Sequence, residues 1–282
     1  MEKLPTKSAF SPLGKRGVLY CAYNRKYIDI AAFSAATLKQ HMDISCCIIT
    51  ANPKYAKKVA VFDHALDIGY PETLETFFVK ADRLPSLKLL ALAQSPFEKT
   101  LHLDCDTVVL GDLSPVFDKL QAHDLLLTND SESNFDLDHS TGRRVHRNLL
   151  RFTNQEAFNT GVLAYSNSAT TKEFLNAWVK DFIETSKIHP DTGNWSNVND
   201  QVSLSRVIKN QLPAKLGLSW SVLPNIEYNV TGRMIPELAR QNKLNAAKII
   251  HTIFAQNWLK QGNAIDSIAN DPSLKQFAGN MD

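Results

Sequence analysis

From Gly17 to Leu110 the chain switches repeatedly between two periodicities, and this alternation limits its fold more than any other feature. Gly17–Ala22 (Gly-Val-Leu-Tyr-Cys-Ala) is a short continuous apolar run, the signature of a strand buried on both faces. Tyr23, Asn24 and Arg25 interrupt it, and Ile28–Leu38 then carries apolar residues at helical spacing. Ile44–Thr50 predicts a second buried strand. Pro53 opens a short helix toward Val61, in keeping with proline's fit to the first helical turn. A short third strand follows over Ala65–Ile68, and then a strongly apolar helix over Leu84–Ala93, with Arg83 and Lys88 as its charges. The fourth strand runs Leu101–Leu110. Strand–helix alternation of this kind predicts an α/β fold with a mainly parallel, doubly wound central sheet flanked by helices. Ligands of such sheets bind beyond the carboxyl ends of the strands.

The fourth strand carries the most informative residues. In Leu101-His102-Leu103-Asp104-Cys105-Asp106-Thr107-Val108-Val109-Leu110, two carboxylates stand one residue apart inside an apolar run. If the strand stays regular, period two puts Asp104 and Asp106 on one side. Two like charges there repel, and burying them unpaired is costly. A divalent cation resolves both problems, and oxygen ligands suit Mg²⁺ or Mn²⁺. Two carboxylates leave most of an octahedron for water and nucleotide phosphates. The plainer alternative is a strand that ends in a polar turn with solvated aspartates.

The rest of the chain supplies weaker signals. Tyr23 offers a stacking face and Asn24 an amide edge at the end of the first strand, where a plain turn with a helix cap is the alternative. There is no Gly-x-Gly-x-x-Gly and no P-loop, so a bound diphosphate needs a metal to neutralise it. A turn and short helix follow over Gly111–Phe117, and a strand over Asp124–Thr128. Residues 129–157 read as a polar insertion, either a lid or a loop. Its Arg143, Arg144, Arg147 and Arg151 face an anion or simply form a solvated basic surface. Phe158-Asn159-Thr160-Gly161 leads into a buried strand. Asn159 has a donor and an acceptor for a sugar hydroxyl, and Gly161 allows close backbone approach. Thr171–Thr185 predicts an amphipathic helix whose apolar face, with Trp178 and Phe182, belongs to the core. Asn199-Asp200-Gln201 heads a further helix, Val202–Ile208, where Asn199 suits a cap and Asp200 the helix dipole. Alternatively, Asp200 or Gln201 faces a reacting carbon. Lys248–His251 is a short apolar strand ending in a histidine, a candidate metal ligand or a structural imidazole.

Composition sets the outer limits. The formal net charge of +2 gives no electrostatic case for nucleic acid. No apolar run reaches membrane-spanning length, and Met-Glu-Lys-Leu-Pro-Thr-Lys lacks the core of a signal peptide. The four cysteines, Cys21, Cys46, Cys47 and Cys105, sit in apolar segments without metal-ligand spacing, which fits reduced thiols in a cytoplasmic protein. The sequon at Asn229-Val230-Thr231 then carries no weight. There is no internal repeat and no low-complexity segment.

Taken in order, the first strand-end turn, Leu-Asp-x-Asp with Gly111-Asp112-Leu113, Phe-Asn-Thr-Gly-Val-Leu, Asn-Asp-Gln and a late Ile-His with Trp258 downstream resemble the GT-A fold nucleotide-sugar glycosyltransferases. The resemblance is to the family 8-like group that includes glycogenin and bacterial lipopolysaccharide glycosyltransferases, and it runs from about Gly17 to Trp258. It implies a Rossmann-like GT-A domain over 1–282. A nucleotide-binding half spans 17–128, the mobile insertion 129–157 and a sugar and acceptor half 158–262. A C-terminal acceptor-side extension leads into a tail at 263–282. It implies that Asp104, Asp106 and His251 ligate Mn²⁺ (or Mg²⁺). Ala22, Tyr23, Asn24 and Cys105 would hold the nucleotide, Arg83 or Lys88 would reach the donor, and Asn159, Asp200 and Gln201 would line the sugar. The family's late His-x-x-Gly-x-x-Lys-Pro-Trp is here His251-Thr-Ile-Phe-Ala-Gln-Asn-Trp258, so Lys260 or an arginine takes the place of its diphosphate lysine.

The activity implied is transfer of a hexose from a nucleotide-diphosphate sugar, a UDP-sugar above all, to a hydroxyl of a saccharide, glycolipid or protein, with retention of configuration. No transmembrane segment is implied, and peripheral membrane contact stays open. Two other readings remain at this point. Asp-x-Asp-Thr after an apolar strand also resembles the opening of a haloacid dehalogenase-type phosphatase, although that motif usually opens its domain and a later acidic pair is missing here. A non-catalytic sugar-nucleotide binding protein fits the same residues.

Overall fold

The structure is a computed structural model that describes residues 13–68, 84–129, 158–188, 200–231 and 234–252. Its frame is a seven-stranded sheet. The strands are β1 (Gly14–Ala22), β2 (Ser45–Thr50), β3 (His64–Asp67), β4 (Phe97–Leu103), β6 (Leu125–Asn129), β7 (Phe158–Ser166) and β8 (Trp220–Leu223). They lie in the order β3-β2-β1-β4-β7-β6-β8. Strands β1 to β4 pair in parallel, and β6 pairs in parallel with β8. Only β7 runs the other way, antiparallel to both β4 and β6. The mainly parallel sheet expected from the strand–helix alternation is present.

Period two sorts the apolar runs onto the two faces of this sheet. Val18, Tyr20, Ile48, Leu101, Leu103, Val162 and Ala164 face one cluster, built with α1 (Arg25–His41) and the short α4 (Ser114–Lys119). Leu19, Cys47, Ile49, Leu163 and Tyr165 face the other. There they pack against α3 (Leu84–Ala93), α5 (Ala169–Ile188) and α6 (Asp200–Lys209). Helices on both faces explain why these strands carry no polar alternation. The expected helix from Pro53 is shorter than its apolar pattern suggested: α2 spans only Pro53–Ala56, and Val59 and Val61 pack on the core from a loop.

The fourth strand departs from expectation in a way that shapes the site. It does not stay regular to Leu110. Strand β4 stops at Leu103, Asp104-Cys105-Asp106 turn, and β5 (Thr107–Val109) joins a second sheet. That sheet has the order β5-β10-β9, with β9 at Val230–Thr231 and β10 at Ile249–His251. The break has a physical reason. A continuous buried strand would hold two carboxylates among apolar neighbours, whereas a turn between sheets lets them reach polar partners. Between β8 and β9 lies α7 (Asn225–Tyr228), and α8 (Ile235–Arg240) backs the small sheet. Among the described residues no helix is long and apolar enough to cross a membrane.

Candidate active site

The carboxyl ends of β1 and β4 and the amino end of the reversed β7 meet at one edge of the large sheet, where the second sheet begins. The Asp104 amide donates to the Gly161 carbonyl at 2.7 Å, which continues the β4–β7 ladder one residue into the turn. On the other side, the Thr252 amide and hydroxyl both donate to the Asp106 carbonyl, at 2.7 and 2.8 Å. The register of β10 on β5 sets His251 opposite Thr107. Thr107, next to Asp106 in sequence, and Thr252, next to His251, thus fix where the histidine stands.

The side chains converge. His251 Nε2 lies 3.2 Å from Asp106 Oδ1 and 3.8 Å from Asp104 Oδ2, and one ligand atom from each residue falls within 4.8 Å of the others. His251 Nδ1 is 3.0 Å from Asn229 Oδ1, an acceptor. Nδ1 therefore carries the hydrogen, and in the neutral ring Nε2 presents its lone pair to the two carboxylates. Burial pulls the His251 imidazole down, but Asp106 and Asp104 more than offset this and leave it above its ordinary value. The field at this point favours a positive charge. Three convergent lone-pair atoms of O,O,N type, with the imidazole oriented from behind, fit a divalent cation such as Mn²⁺ or Mg²⁺.

A second ionic group adjoins the first. Lys88, from α3, places its ammonium 3.2 and 3.3 Å from the two oxygens of Asp104, 3.0 Å from Thr160 Oγ1 and 2.5 Å from Asp200 Oδ2. Burial alone would push this lysine down. Asp104 and Asp200 reverse the sign, so it stays charged well above the usual ammonium range. Burial pushes the Asp104 carboxyl up, but Lys88, His102 and His251 overcome it and hold the group well below the usual carboxylate range. Thr160 Oγ1 donates to Asp200 Oδ2 at 2.6 Å, and Trp178 Nε1 donates to the Asp200 carbonyl at 3.2 Å.

The candidate residues named from the sequence fall into three groups. Lys88, Asp104, Asp106, Asp200 and His251 come together at this edge through direct contacts. Asn159 is buried, with its Oδ1 accepting from the Gly161 amide at 2.7 Å. Gln201 follows Asp200 in the first turn of α6, and its buried Oε1 has no hydrogen-bond partner among the described residues. Ala22 ends β1, and Tyr23 is half-buried behind it. Asn24 Oδ1 accepts from the Tyr27 amide at 3.1 Å and so caps α1. Cys105 turns inward and donates its thiol to the Cys21 carbonyl at 3.1 Å. Burial pushes the Cys21 thiol up to about 12 and raises Cys105 as well, so these thiols stay neutral. Arg83, Lys260, Asn199, Trp258, the 130–157 arginines and the tail lie outside the described residues.

Three neighbours were not singled out from the sequence. His102, all but inaccessible, places Nε2 3.2 Å from Asp104 Oδ1 and Nδ1 3.0 Å from the Leu19 carbonyl. A polar residue between Leu101 and Leu103, two positions before Asp104, was a readable signal for it. Thr160 lay inside the Asn-Thr-Gly block but drew no role of its own. Asn229 left no local signal, because its partner His251 is far along the chain.

The comparisons with known proteins bear on this arrangement. A likeness in structure links the chain to the galactosyltransferase LgtC, solved in complex with donor and acceptor sugar analogs. The two share 14% identity over 94% of this chain and 95% of that one, with a TM-score of 0.55. The bifunctional glycosyltransferase WbbM is similar at 16% identity and a TM-score of 0.57, over 96% of this chain but 53% of its own length. Mouse xyloside xylosyltransferase 1 is similar at 10% identity, over 85% of this chain and 97% of that one, with a TM-score of 0.51. At these identities the likeness establishes the fold, that of the GT-A enzymes. No curated protein matches the chain by sequence. The family model of nucleotide-diphospho-sugar transferases matches residues 99–257, more than half of the 282 residues and a span that includes both aspartates, Asp200 and His251. The chain belongs to the nucleotide-diphospho-sugar transferase family, with a GT-A fold.

Proposed function

We propose that the protein is a divalent-metal-dependent hexosyltransferase that uses a UDP-sugar and a hydroxyl acceptor and retains the anomeric configuration. The observation that carries this reading is the convergence of Asp104, Asp106 and His251 beside the Lys88–Asp200 pair, at the strand-end edge where α/β sheets bind ligands. Asp104, Asp106 and His251 hold Mn²⁺ or Mg²⁺. When bound, the cation neutralises the donor diphosphate and stabilises the charge that develops on the leaving phosphate. Ala22, Tyr23 and Asn24 line the nucleoside side, with the Asn24 amide nitrogen free to donate while its oxygen caps α1. Lys88 keeps a fixed positive charge at the donor side, and Asp200 and Gln201 face the sugar. Cys105 contributes backbone rather than its inward-facing thiol.

The reaction breaks the bond between the anomeric carbon and the phosphate oxygen, with the electron pair leaving on the diphosphate. The acceptor oxygen forms the new bond, and its proton passes to the departing phosphate on the same face. Gln201 Oε1, buried and without a partner among the described residues, is an acceptor that would support positive charge at that carbon. The acceptor is a saccharide, glycolipid or protein hydroxyl.

A thermal-shift screen of nucleotide sugars with and without Mn²⁺ tests this reading, because a ligand that binds only the folded state raises the melting temperature. A shift for UDP-hexoses that needs Mn²⁺, with release of UDP on adding acceptors, is expected. Binding that ignores Mn²⁺ would overturn the metal role. Metal-dependent binding without transfer to any acceptor would make the protein a sugar-nucleotide binder instead.

Gly161 provides a test that touches no substrate. A Cβ at this position would sit 2.7 Å from His251 Nδ1 and 3.0 Å from Asn159 Oδ1, closer than side chains tolerate. Gly161→Ala is expected to destabilise the fold by about 1–3 kcal/mol through overpacking. By moving the imidazole it should also weaken Mn²⁺ binding by roughly tenfold or more. Isothermal titration with Mn²⁺ reads the second effect, and unchanged affinity would mean that His251 is not a ligand.

A further inference from the structure

The turn that carries the two aspartates is tied to the protein core by a line of buried hydroxyls. Tyr20 on β1, Ser34 on α1 and Thr107 on β5 are almost wholly inaccessible. Tyr20 Oη lies 3.1 Å from Ser34 Oγ, Ser34 Oγ lies 2.7 Å from Thr107 Oγ1, and Thr107 Oγ1 lies 2.9 Å from the Asp104 carbonyl oxygen. Each hydroxyl has one hydrogen to give. The carbonyl can only accept, so Thr107 donates to it. Thr107 must then accept from Ser34, and Ser34, its hydrogen used, must accept from Tyr20. The direction of the whole chain is forced: Tyr20 to Ser34 to Thr107 to Asp104.

The same helix holds the next turn of β5. Thr37 Oγ1 donates to the Ser34 carbonyl at 2.7 Å and accepts from the Val109 amide at 3.0 Å. The neighbouring Leu110 amide instead donates toward β10, to the Lys248 carbonyl at 2.8 Å. Strand β5 is thus held by β10 on one edge and by α1 hydroxyls on the other. The buried face of α1 is otherwise apolar, with Ile30, Ala31, Ala35 and Leu38 around these two residues. Hydroxyls in such a place cost free energy unless they are bonded, and in low polarity a satisfied chain strengthens each of its links. Simple packing of α1 against the sheet would be served by apolar residues. The hydroxyls of Tyr20, Ser34 and Thr107 lead to one point, the backbone oxygen between β4 and the metal-facing carboxylates.

We infer that Tyr20, Ser34 and Thr107 are positioning residues of the aspartate turn, which hold the Asp104 carbonyl so that the carboxylates of Asp104 and Asp106 stand at the spacing a divalent cation requires. The inference rests on the metal-binding reading proposed above. None of the three touches the cation, and their role is exerted through the backbone of Asp104.

The test uses the full chain and Mn²⁺ alone, with free Mn²⁺ counted by electron paramagnetic resonance. Thr107→Val removes the last link at nearly constant shape and should weaken Mn²⁺ binding by about tenfold, the usual scale for groups behind a ligand. Thr107→Ser keeps the hydroxyl and should bind within about twofold of the parent, because the donated bond is what matters. Ser34→Ala should weaken binding by about threefold or more, and Tyr20→Phe, at the far end, by less. Wild-type affinity in both Thr107→Val and Ser34→Ala, even with a lowered melting temperature, would overturn the inference and leave the chain a purely structural one. Where Thr107→Val does not fold, Ser34→Ala decides alone, and its threefold loss is the requirement. A parent protein that binds no Mn²⁺ would instead overturn the metal reading itself, and the inference with it.

Discussion

Replacing Asp106 by alanine should reduce sugar transfer by about a thousandfold or more, the equivalent of about 4 kcal/mol of transition-state stabilisation, while leaving the metal-free fold nearly as stable as before. The two halves of this expectation come from separate observations. The Asp106 side chain is 30% exposed, and among the described residues its close ionic partner is His251 at 3.2 Å. Its loss removes what holds the buried His251 imidazole above its ordinary value, so that ring can rest neutral and no charge is stranded, and it relieves repulsion with Asp104 across the turn. The Asp106 backbone, which Thr252 holds through two hydrogen bonds, is untouched by the change. What disappears is one of three convergent ligand atoms. Melting curves in the presence of a chelator should differ from the parent by no more than about 3 °C, corresponding to about 1 kcal/mol. The rise in melting temperature on adding Mn²⁺ and a UDP-hexose should vanish. Rates close to the parent's would remove Asp106 from the site.

Lys88→Met should have the largest effect on stability, about 3 kcal/mol, because it leaves two carboxylates facing one another without their shared counter-charge. The side chains of Lys88 and Asp200 are only 13% and 9% exposed, and that of Asp104 is 25% exposed, so water cannot take over the role. A fall in melting temperature of roughly 6–12 °C is expected at neutral pH. The pH dependence has a definite sign. The raised ammonium of Lys88 contributes stability that is complete below the ordinary lysine value and lost as pH rises through its folded value. The depressed carboxyl of Asp104 contributes stability that is present above the ordinary carboxylate range and lost as pH falls through its folded value. Both are in force at pH 7. In the variant Asp104, deprived of Lys88, takes up a proton more readily, so the deficit should narrow as pH falls toward 5. Asp200→Asn introduced into Lys88→Met should recover part of the loss by removing one of the stranded charges. A deficit that stays constant from pH 7 to pH 5 would contradict the ionic account of this cluster.

The legible parts of the fold were those where one physical requirement acted locally. Leu84–Ala93 was read with its observed ends because a dense apolar helix between polar breaks admits one register. The strands β1 and β2 were read to within a few residues, because burial on both faces leaves an unbroken apolar run. The reversal of β7 was not legible. Phe158–Ser166 is buried on both faces like its parallel neighbours, and strand direction leaves no mark on composition. The break at Asp104 was missed for a related reason. Thr107–Val109 is as apolar and β-branched as a continuing strand would be, and only its pairing with Ile249–His251, far along the chain, takes it into a second sheet.

The same division runs through the site. Asp104, Asp106 and His251 were visible as residue types in order, and Lys88 and Asp200 as charges near apolar helices. Their mutual geometry was not, since Lys88 meets Asp200 across a long sequence separation and through Thr160. Asn24 shows the reverse. Its place at a strand end suggested a ligand contact, and local chemistry uses its oxygen first as a helix cap. The hydroxyls of Ser34 and Thr37 read as ordinary helix residues, because nothing near them in sequence discloses that α1 lies against the aspartate turn.

The most direct measurement is anomalous diffraction from crystals grown with Mn²⁺ and UDP. The account predicts a single strong manganese peak within about 2.3 Å of a carboxylate oxygen of Asp106 and of His251 Nε2, with Asp104 completing the protein ligands and the diphosphate on the open side. A peak held by other side chains, or UDP seated at this edge with both aspartates turned away from it, would contradict the account.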